Sequence, residues 1–490
     1  MTWIRIARTL VPARLRDFGR LGGMLLALSL SGPAQDALAP IKAHVASNPR
    51  GRLAFTADLA TLKRGPHRDL PIGVFDSGIG GLTVLEALLT LDRVDNRTLA
   101  PRSDGIPDFA GERFVYLGDQ ANMPYGNYPS VGKTDLLREL ILKDVVFLLG
   151  RRHRAGATAA PRFDKPPVKA LVIACNTATA YGLEDIRTAL KGWGLDIPVI
   201  GVVDAGAEAV AELLPREGPS PSVGVLATVG TCASGAYPEA IARAAARLGK
   251  SVPTVVQQGS VGLAGAIEGN PAFVTEADPR PVPYQGPAWN PELAKVGGLE
   301  QAQLLAGTLN TVQNYIRFDV ASLLAGFRDQ HPQARPMQLV VLGCTHFPLV
   351  DGEITAAFRR SADYRDENGG QPFASRVATE LILVNPAEHA ARSLFRELAA
   401  RKLRRASRSR VKPAVANFYM TVPNPASPGI RLGSDGSLDN GYRLGRSPGN
   451  LGIEDTSTVI LSAENLPTAS RSLVKSLPQV WKAMQGKPSH

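Results

Sequence analysis

The chain has 490 residues, 44% of them hydrophobic and 20% charged, with a net charge of +11. That is globular composition, with length for about three domain-sized units and no apolar run of the ~18 residues a membrane-crossing helix needs. Three cysteines exclude a disulfide framework, and seven scattered histidines with no CxxC or HExxH spacing exclude the usual zinc sites.

Residues 1–40 read as a signal-like leader. Arg5, Arg8, Arg14, Arg16 and Arg20 face one acid, Asp17, ahead of an apolar run over 21–30 and the small-residue stretch SGPAQDALAP. Ala37 and Ala39 form the best Ala-x-Ala cleavage signal, with Pro40 directly after it. An Arg-rich surface segment or an organelle transit sequence is the alternative. Residues 41–70 read as a linker.

From residue 71 the pattern becomes regular. An apolar run over 72–75 ends in Asp76-Ser77-Gly78-Ile79-Gly80-Gly81, and Leu82, Leu85, Leu88 and Leu89 follow at helical spacing. This is strand, glycine turn, helix. Further apolar runs cover 170–174, ending in Cys175-Asn176-Thr177, then 198–203, then 223–227, ending in Thr228-Val229-Gly230-Thr231. Two more cover 339–342, ending in Gly343-Cys344-Thr345-His346, and 381–384, ending in Asn385-Pro386. Continuous apolar strands alternating with helices predict parallel sheets covered on both faces. The strand ends repeat in two sets, so the expected fold is α/β, with two pseudo-symmetric doubly wound parallel-sheet domains and the active site in the cleft between them. The expected boundaries are 71–204, with a return segment 376–425, for the first domain and 205–375 for the second. Pro/Gly/Arg-rich stretches at 91–112, 150–167 and 270–300 read as surface insertions. The Arg-rich stretch 392–412 reads as a helix with Leu394, Phe395, Leu398 and Leu403 inward and its arginines solvated, rather than as a nucleic-acid patch. Residues 426–490 read as a loop-rich C-terminal extension.

Cys175 and Cys344 share a setting: each ends a strand, and each precedes hydrogen-bonding side chains. In open α/β sheets that edge binds ligands. Two thiols facing across a cleft suit stereoinversion, in which one thiolate takes a proton from a carbon and the other thiol returns one to the opposite face. A thiol needs only modest tuning for this near neutral pH. Asp76 and His346 are placed to supply that tuning. Cys232, at a helix start without a matching motif, reads as structural. The GxGG turn lacks the GxGxxG spacing of a dinucleotide site. Between Gly126 and Gly132-Lys133-Thr134 lie five residues, where a phosphate loop needs four.

The ordered set of segments then carries a resemblance. IGVFDSGIGGLTV from Ile72, YLGD from Tyr116 with Pro124-Tyr125-Gly126, ACNTAT from Ala174, VGVLATVGT at 223–231, LAGAIEG at 263–269, GCTHFP from Gly343, and Phe418-Tyr419-Met420-Thr421 together resemble glutamate racemase of the aspartate/glutamate racemase superfamily, over roughly 71–425. Asn385 stands where that family often carries Asp. The resemblance implies a cofactor-independent 1,1-proton transfer on glutamate that supplies D-glutamate for peptidoglycan. It implies Cys175 as the base toward the D-enantiomer, assisted by Asp76. Cys344 would be the base toward the L-enantiomer, assisted by His346 and Glu268. Asp76, Ser77, Tyr125, Gly126, Asn176, Thr177, Thr345 and His346 would bind the substrate's carboxylates and ammonium. No metal, phosphate cofactor or nicotinamide is implied. The expected partner is a small amino acid, not a nucleic acid, and a homodimer is one open assembly. Aspartate or another small acid stays open as the substrate, as does a non-catalytic binding or regulatory role on the same fold. The leader favours a periplasmic or exported protein, and the family a cytoplasmic one.

Overall fold

In a computed structural model, residues 36–65, 67–275, 284–405 and 415–486 are described. Residues 1–35 of the leader, and Arg408, Arg410 and Lys412, lie outside them. The described residues from Ala37 onward form one compact unit. Among the described residues the strands make two sheets. They are β1 Ile72–Asp76, β2 Arg113–Gly118, β3 His153–Arg154, β4 Pro161–Arg162, β5 Ala170–Ile173, β6 Val199–Gly201, β7 Ser222–Thr228, β8 Val255–Ser260, β9 Met337–Gly343, β10 Val377–Val384, β11 Val415–Pro423 and β12 Thr456–Ile460. The larger sheet runs β4-β3-β12-β11-β2-β1-β5-β6 and the smaller runs β10-β9-β7-β8.

The smaller sheet is parallel throughout, and β11-β2-β1-β5-β6 form the parallel heart of the larger one. This is why the central strands read as unbroken apolar runs: every residue of β1 and β5 is buried, because helices cover both faces. One core layer packs Leu82, Leu85 and Leu88 against Tyr116, Phe418, Ala390 and Leu394, and the opposite layer packs Phe75, Leu171 and Ile173 against Ile141, Val145 and Ile186. No helix among the described residues is long and apolar enough to cross a membrane.

Four parts differ from the sequence expectation. The stretch read as a linker holds two helices, Ala39–Ser47 and Leu59–Leu62, whose Ile41, Val45, Leu59 and Leu62 are buried in the second core layer. Strand β10 pairs with β9 in the smaller sheet, so the return to the larger sheet begins after it, with the helix Pro386–Ala400. The insertion 150–167 supplies β3 and β4 at the edge of the larger sheet. The extension 426–490 is built into the fold: β12 pairs antiparallel with β11, and Val480 and Met484 of the helix Pro478–Gln485 are buried. In the basic stretch, Leu394, Phe395 and Leu398 are buried, while Arg392 and Arg396 face Glu212 and Arg401 pairs with Asp196 and Glu397. That face mixes both signs of charge.

Candidate active site

Parallel pairing puts the carboxyl ends of β1, β2 and β5 on one edge of the larger sheet and those of β7 and β9 on one edge of the smaller. The two edges meet. Thr83 Oγ1 donates to the Thr345 carbonyl (3.0 Å). Thr177 Oγ1 lies 3.2 Å from Thr228 Oγ1 and 3.1 Å from Thr231 Oγ1. The Tyr237 hydroxyl donates to Asn176 Oδ1 (2.6 Å). Gly230 and Gly126 approach so closely that a Cβ on Gly230 would lie 2.8 Å from Gly126 Cα.

Cys175 stands between β5 and the helix Asn176–Gly192, where its sulfur caps the helix by accepting from Ala178 N (3.4 Å). The helix N-terminus thus faces the thiol with its partial positive charge. Cys175 Sγ is 3.7 Å from Ser77 Oγ. Burial, and after it the neighbouring Asp76 charge, push the thiol up from its ordinary range, against the Ala178 N–H and Ser77. Asp76, the last residue of β1, accepts from Gly81 N (2.8 Å) and Gly78 N (3.4 Å). Burial raises its carboxyl, opposed first by His346 and then by these backbone N–H groups. His346, from beyond the smaller sheet, is thus electrostatically coupled to the first thiol's wall.

On the second wall, Cys344 follows β9 directly, and its sulfur lies 3.6 Å from His346 Nδ1. His346 Nε2 lies 2.8 Å from Glu268 Oε1. Burial alone would lower the imidazole's pKa. The hydrogen bonds to Cys344 and Glu268 outweigh it and hold His346 well above its ordinary value. Cys175 and Cys344 are each 6% exposed, and both are free thiols. The turn at 76–81 separates them: Ser77 touches one thiol, and Gly80 touches the His346 ring beside the other.

The remaining residues picked out in the sequence fall along this seam, with one difference. Tyr125 turns its hydroxyl away into the core, between Asp119 Oδ2 (2.5 Å) and Asp144 Oδ2 (2.7 Å), leaving Gly126 at the contact with the smaller sheet. Sequence reasoning missed Thr83, Thr228, Thr231 and Tyr237 as seam residues. For Thr228 and Thr231 a signal was present, since they close an apolar strand in a segment already singled out. Cys232 is half-buried, and burial pushes its thiol up to about 12. Asn385 caps its helix by accepting from Ala387 N (3.0 Å), which an amide oxygen does without charge. No group of three or more His, Cys, Asp or Glu suited to a metal occurs among the described residues.

The sequence model of the Asp/Glu/Hydantoin racemase family matches residues 152–277. A glutamate racemase of Pediococcus pentosaceus is 30% identical over 287 residues, which cover 59% of this chain and 73% of that protein. One of Latilactobacillus sakei is 30% identical over 320 residues, covering 65% and 76%. The crystal structure of the Bacillus anthracis glutamate racemase isoform RacE1 covers 72% of this chain and 89% of its own, at 22% identity and a TM-score of 0.43. With 30% identity sustained across about three quarters of two such relatives, the chain belongs to the glutamate racemase family and is an amino-acid racemase, an isomerase.

Proposed function

We propose that the chain racemises glutamate without a cofactor, by proton transfer between Cys175 and Cys344, and supplies D-glutamate for peptidoglycan. The observation that carries this reading is the pair of strand-end thiols on two meeting sheet edges, each beside an ionisable partner. One thiolate takes the α-proton, the electron pair stays on the substrate carbon as a carboxylate-stabilised carbanion, and the opposite thiol delivers its proton to the other face. The thiolate has then changed walls, and the reverse reaction restores it. Cys175 takes the proton of the D-enantiomer and Cys344 that of the L-enantiomer. Asp76 assists the first, and His346 with Glu268 assists the second. Burial disfavours a thiolate at Cys175, and a bound ammonium group offsets that cost by placing positive charge beside it.

Incubation in D₂O with either glutamate enantiomer should place deuterium on the α-carbon. Cys175→Ala and Cys344→Ala should each lower racemisation by at least about 10³-fold, in line with the loss of a positioned acid/base. Racemisation surviving in the double variant would refute the thiol assignment. The same assay across aspartate and other small acidic amino acids tests the substrate.

A further inference from the structure

The turn that carries Tyr125-Gly126 to the seam is fixed from below by a buried chain of side chains that ends outside the family's core. Tyr125 has one hydroxyl proton and two carboxylate oxygens within hydrogen-bond reach, Asp119 Oδ2 at 2.5 Å and Asp144 Oδ2 at 2.7 Å. It donates to one, so the other carboxyl must carry a proton and donate to the phenolic oxygen. The donors decide which. Asp119 also accepts from Thr421 Oγ1 (2.7 Å) and from Asn122 Nδ2 (2.8 and 3.0 Å), and Arg446 adds positive charge. Burial first, and then the charges of Asp119 and Asp76, push the Asp144 carboxyl well up, against the Tyr125 bond and Lys143, and among the described residues no Asn, Thr or Arg donor reaches it as they reach Asp119. The anion is therefore Asp119, and the neutral acid is Asp144.

Asn122 can donate both bonds to Asp119 only while its amide keeps one orientation. Arg446 fixes that orientation: its guanidinium donates to Asn122 Oδ1 (2.5 Å) and to Asp455 Oδ2 (2.6 Å). The Tyr128 hydroxyl, 3.5 Å from the same guanidinium, donates to the Asn122 carbonyl (3.0 Å). The Arg446 side chain is 13% exposed, and its own carbonyl accepts from Lys133 Nζ (3.1 Å). Arg446 and Asp455 both belong to the extension, and Asp455 directly precedes β12, which fixes it to the larger sheet.

We propose that Arg446 of the C-terminal extension is a positioning residue for the Tyr125-Gly126 turn, acting through Asn122, Asp119 and Tyr125, with Asp144 closing the chain as a neutral donor. This deepens the racemase reading and rests on it, because only there does the turn meet a substrate. The extension thereby locks a binding element that the core leaves held by buried polar bonds.

The test uses the full chain, with glutamate racemisation followed in both directions by circular dichroism and amide hydrogen exchange followed over 119–128. Arg446→Met should raise KM for both enantiomers about tenfold, with kcat changed far less, and should speed exchange in that segment. Arg446→Lys, which keeps the charge but loses the fork, should fall between it and the wild type, and it serves if the methionine variant does not fold. Asp119→Asn should raise KM at least as much as Arg446→Met. Asp144→Asn, which keeps a neutral donor in place, should raise KM several-fold less than Asp119→Asn. Wild-type KM and exchange in Arg446→Met, or a fall in melting temperature alone, would overturn the positioning role. Equal damage from Asp144→Asn and Asp119→Asn would overturn the proton assignment. A wild type that fails to turn over glutamate would remove the racemase reading, and exchange over 119–128 would still decide whether Arg446 holds the turn.

Discussion

A methyl group on Gly80 would lie 2.3 Å from His346 Cε1, 2.7 Å from His346 Nε2 and 2.6 Å from Thr345 Oγ1. The backbone at Gly80 is ordinary, so what the position requires is the missing side chain. It lets the turn after β1 lie flat against the ring beside Cys344. Gly80→Ala should therefore push His346 off its 2.8 Å bond to Glu268 and lower kcat by roughly 10²-fold, at an overpacking cost of about 1–3 kcal/mol. Racemisation kinetics beside a thermal melt check this, and a wild-type kcat would show that His346 need not be held in place. Glu268→Gln tests the same bond from its other end. It removes a charge that holds the imidazole's pKa up, so the His346 pKa should fall, readable by NMR of the ring. Much of this was legible at the level of single residues, because strand-end Cys175 and Cys344 announce themselves by what precedes and follows them. The reach of Tyr237 to Asn176, or of Thr83 to Thr345, was not, since each joins residues 61 and 262 positions apart that meet only once two sheets have folded.

Elements were legible by their apolar runs, which follow burial only in part: the half-exposed β10 was read from 381–384, while β2, buried along nearly all its length, was not read as a strand. β1, β5, β7 and β9 carry near-continuous buried residues and were visible as apolar runs. β8, with the burial pattern of an edge strand and two glutamines at its centre, was not. β12 alternates buried and half-buried residues and follows a Gly/Asn/Pro-rich stretch, so its pairing with β11 had no signal of its own. The strand expected over 198–203 is cut to Val199–Gly201 because Val202 already begins a helix. β8 also carries an unusual contact: Ser260 Oγ donates to Asp319 on the helix Val312–Gln330, while Asp319 Oδ1 has no partner. Burial raises the Asp319 carboxyl from 3.8 to about 7, against the Ser260 bond. Between those two values the folded state binds the proton and the unfolded chain does not, so stability falls as pH rises across that window. The full effect is up to about 4 kcal/mol, lost above pH 7 and restored below pH 4. Asp319→Asn, uncharged at every pH, should flatten this slope and melt at a higher temperature than the wild type at pH 8. Parallel melting curves for the two proteins from pH 5 to pH 8 would show that Asp319 does not stay protonated.

Across the whole molecule, the described stretch from Ala37 to β1 belongs to the folded unit. Leu38 is 0% exposed, and its carbonyl accepts from Lys42 N (3.0 Å) at the start of the helix Ala39–Ser47. The Trp193 indole donates to the Lys42 carbonyl (3.1 Å), and Asp58 caps the next helix while its own N–H donates to the Leu149 carbonyl (2.9 Å). These contacts cover one end of the core layer formed by Leu149, Leu190 and Trp193. A leader can be removed without cost only if the cut falls ahead of Leu38. The Ala-x-Ala signal at Ala37 and Ala39 would instead cut after Ala39, taking away Leu38 and the first residue of the helix. Burying a leucine is worth about 2 kcal/mol, so a chain beginning at Pro40 should melt a few degrees below one beginning at Asp36. Any processing in the native host should accordingly leave a terminus at or before Leu38. Terminal peptide mapping reads this directly, and a mature chain beginning at Pro40 with undiminished stability would show that Leu38 is not part of the core it enters.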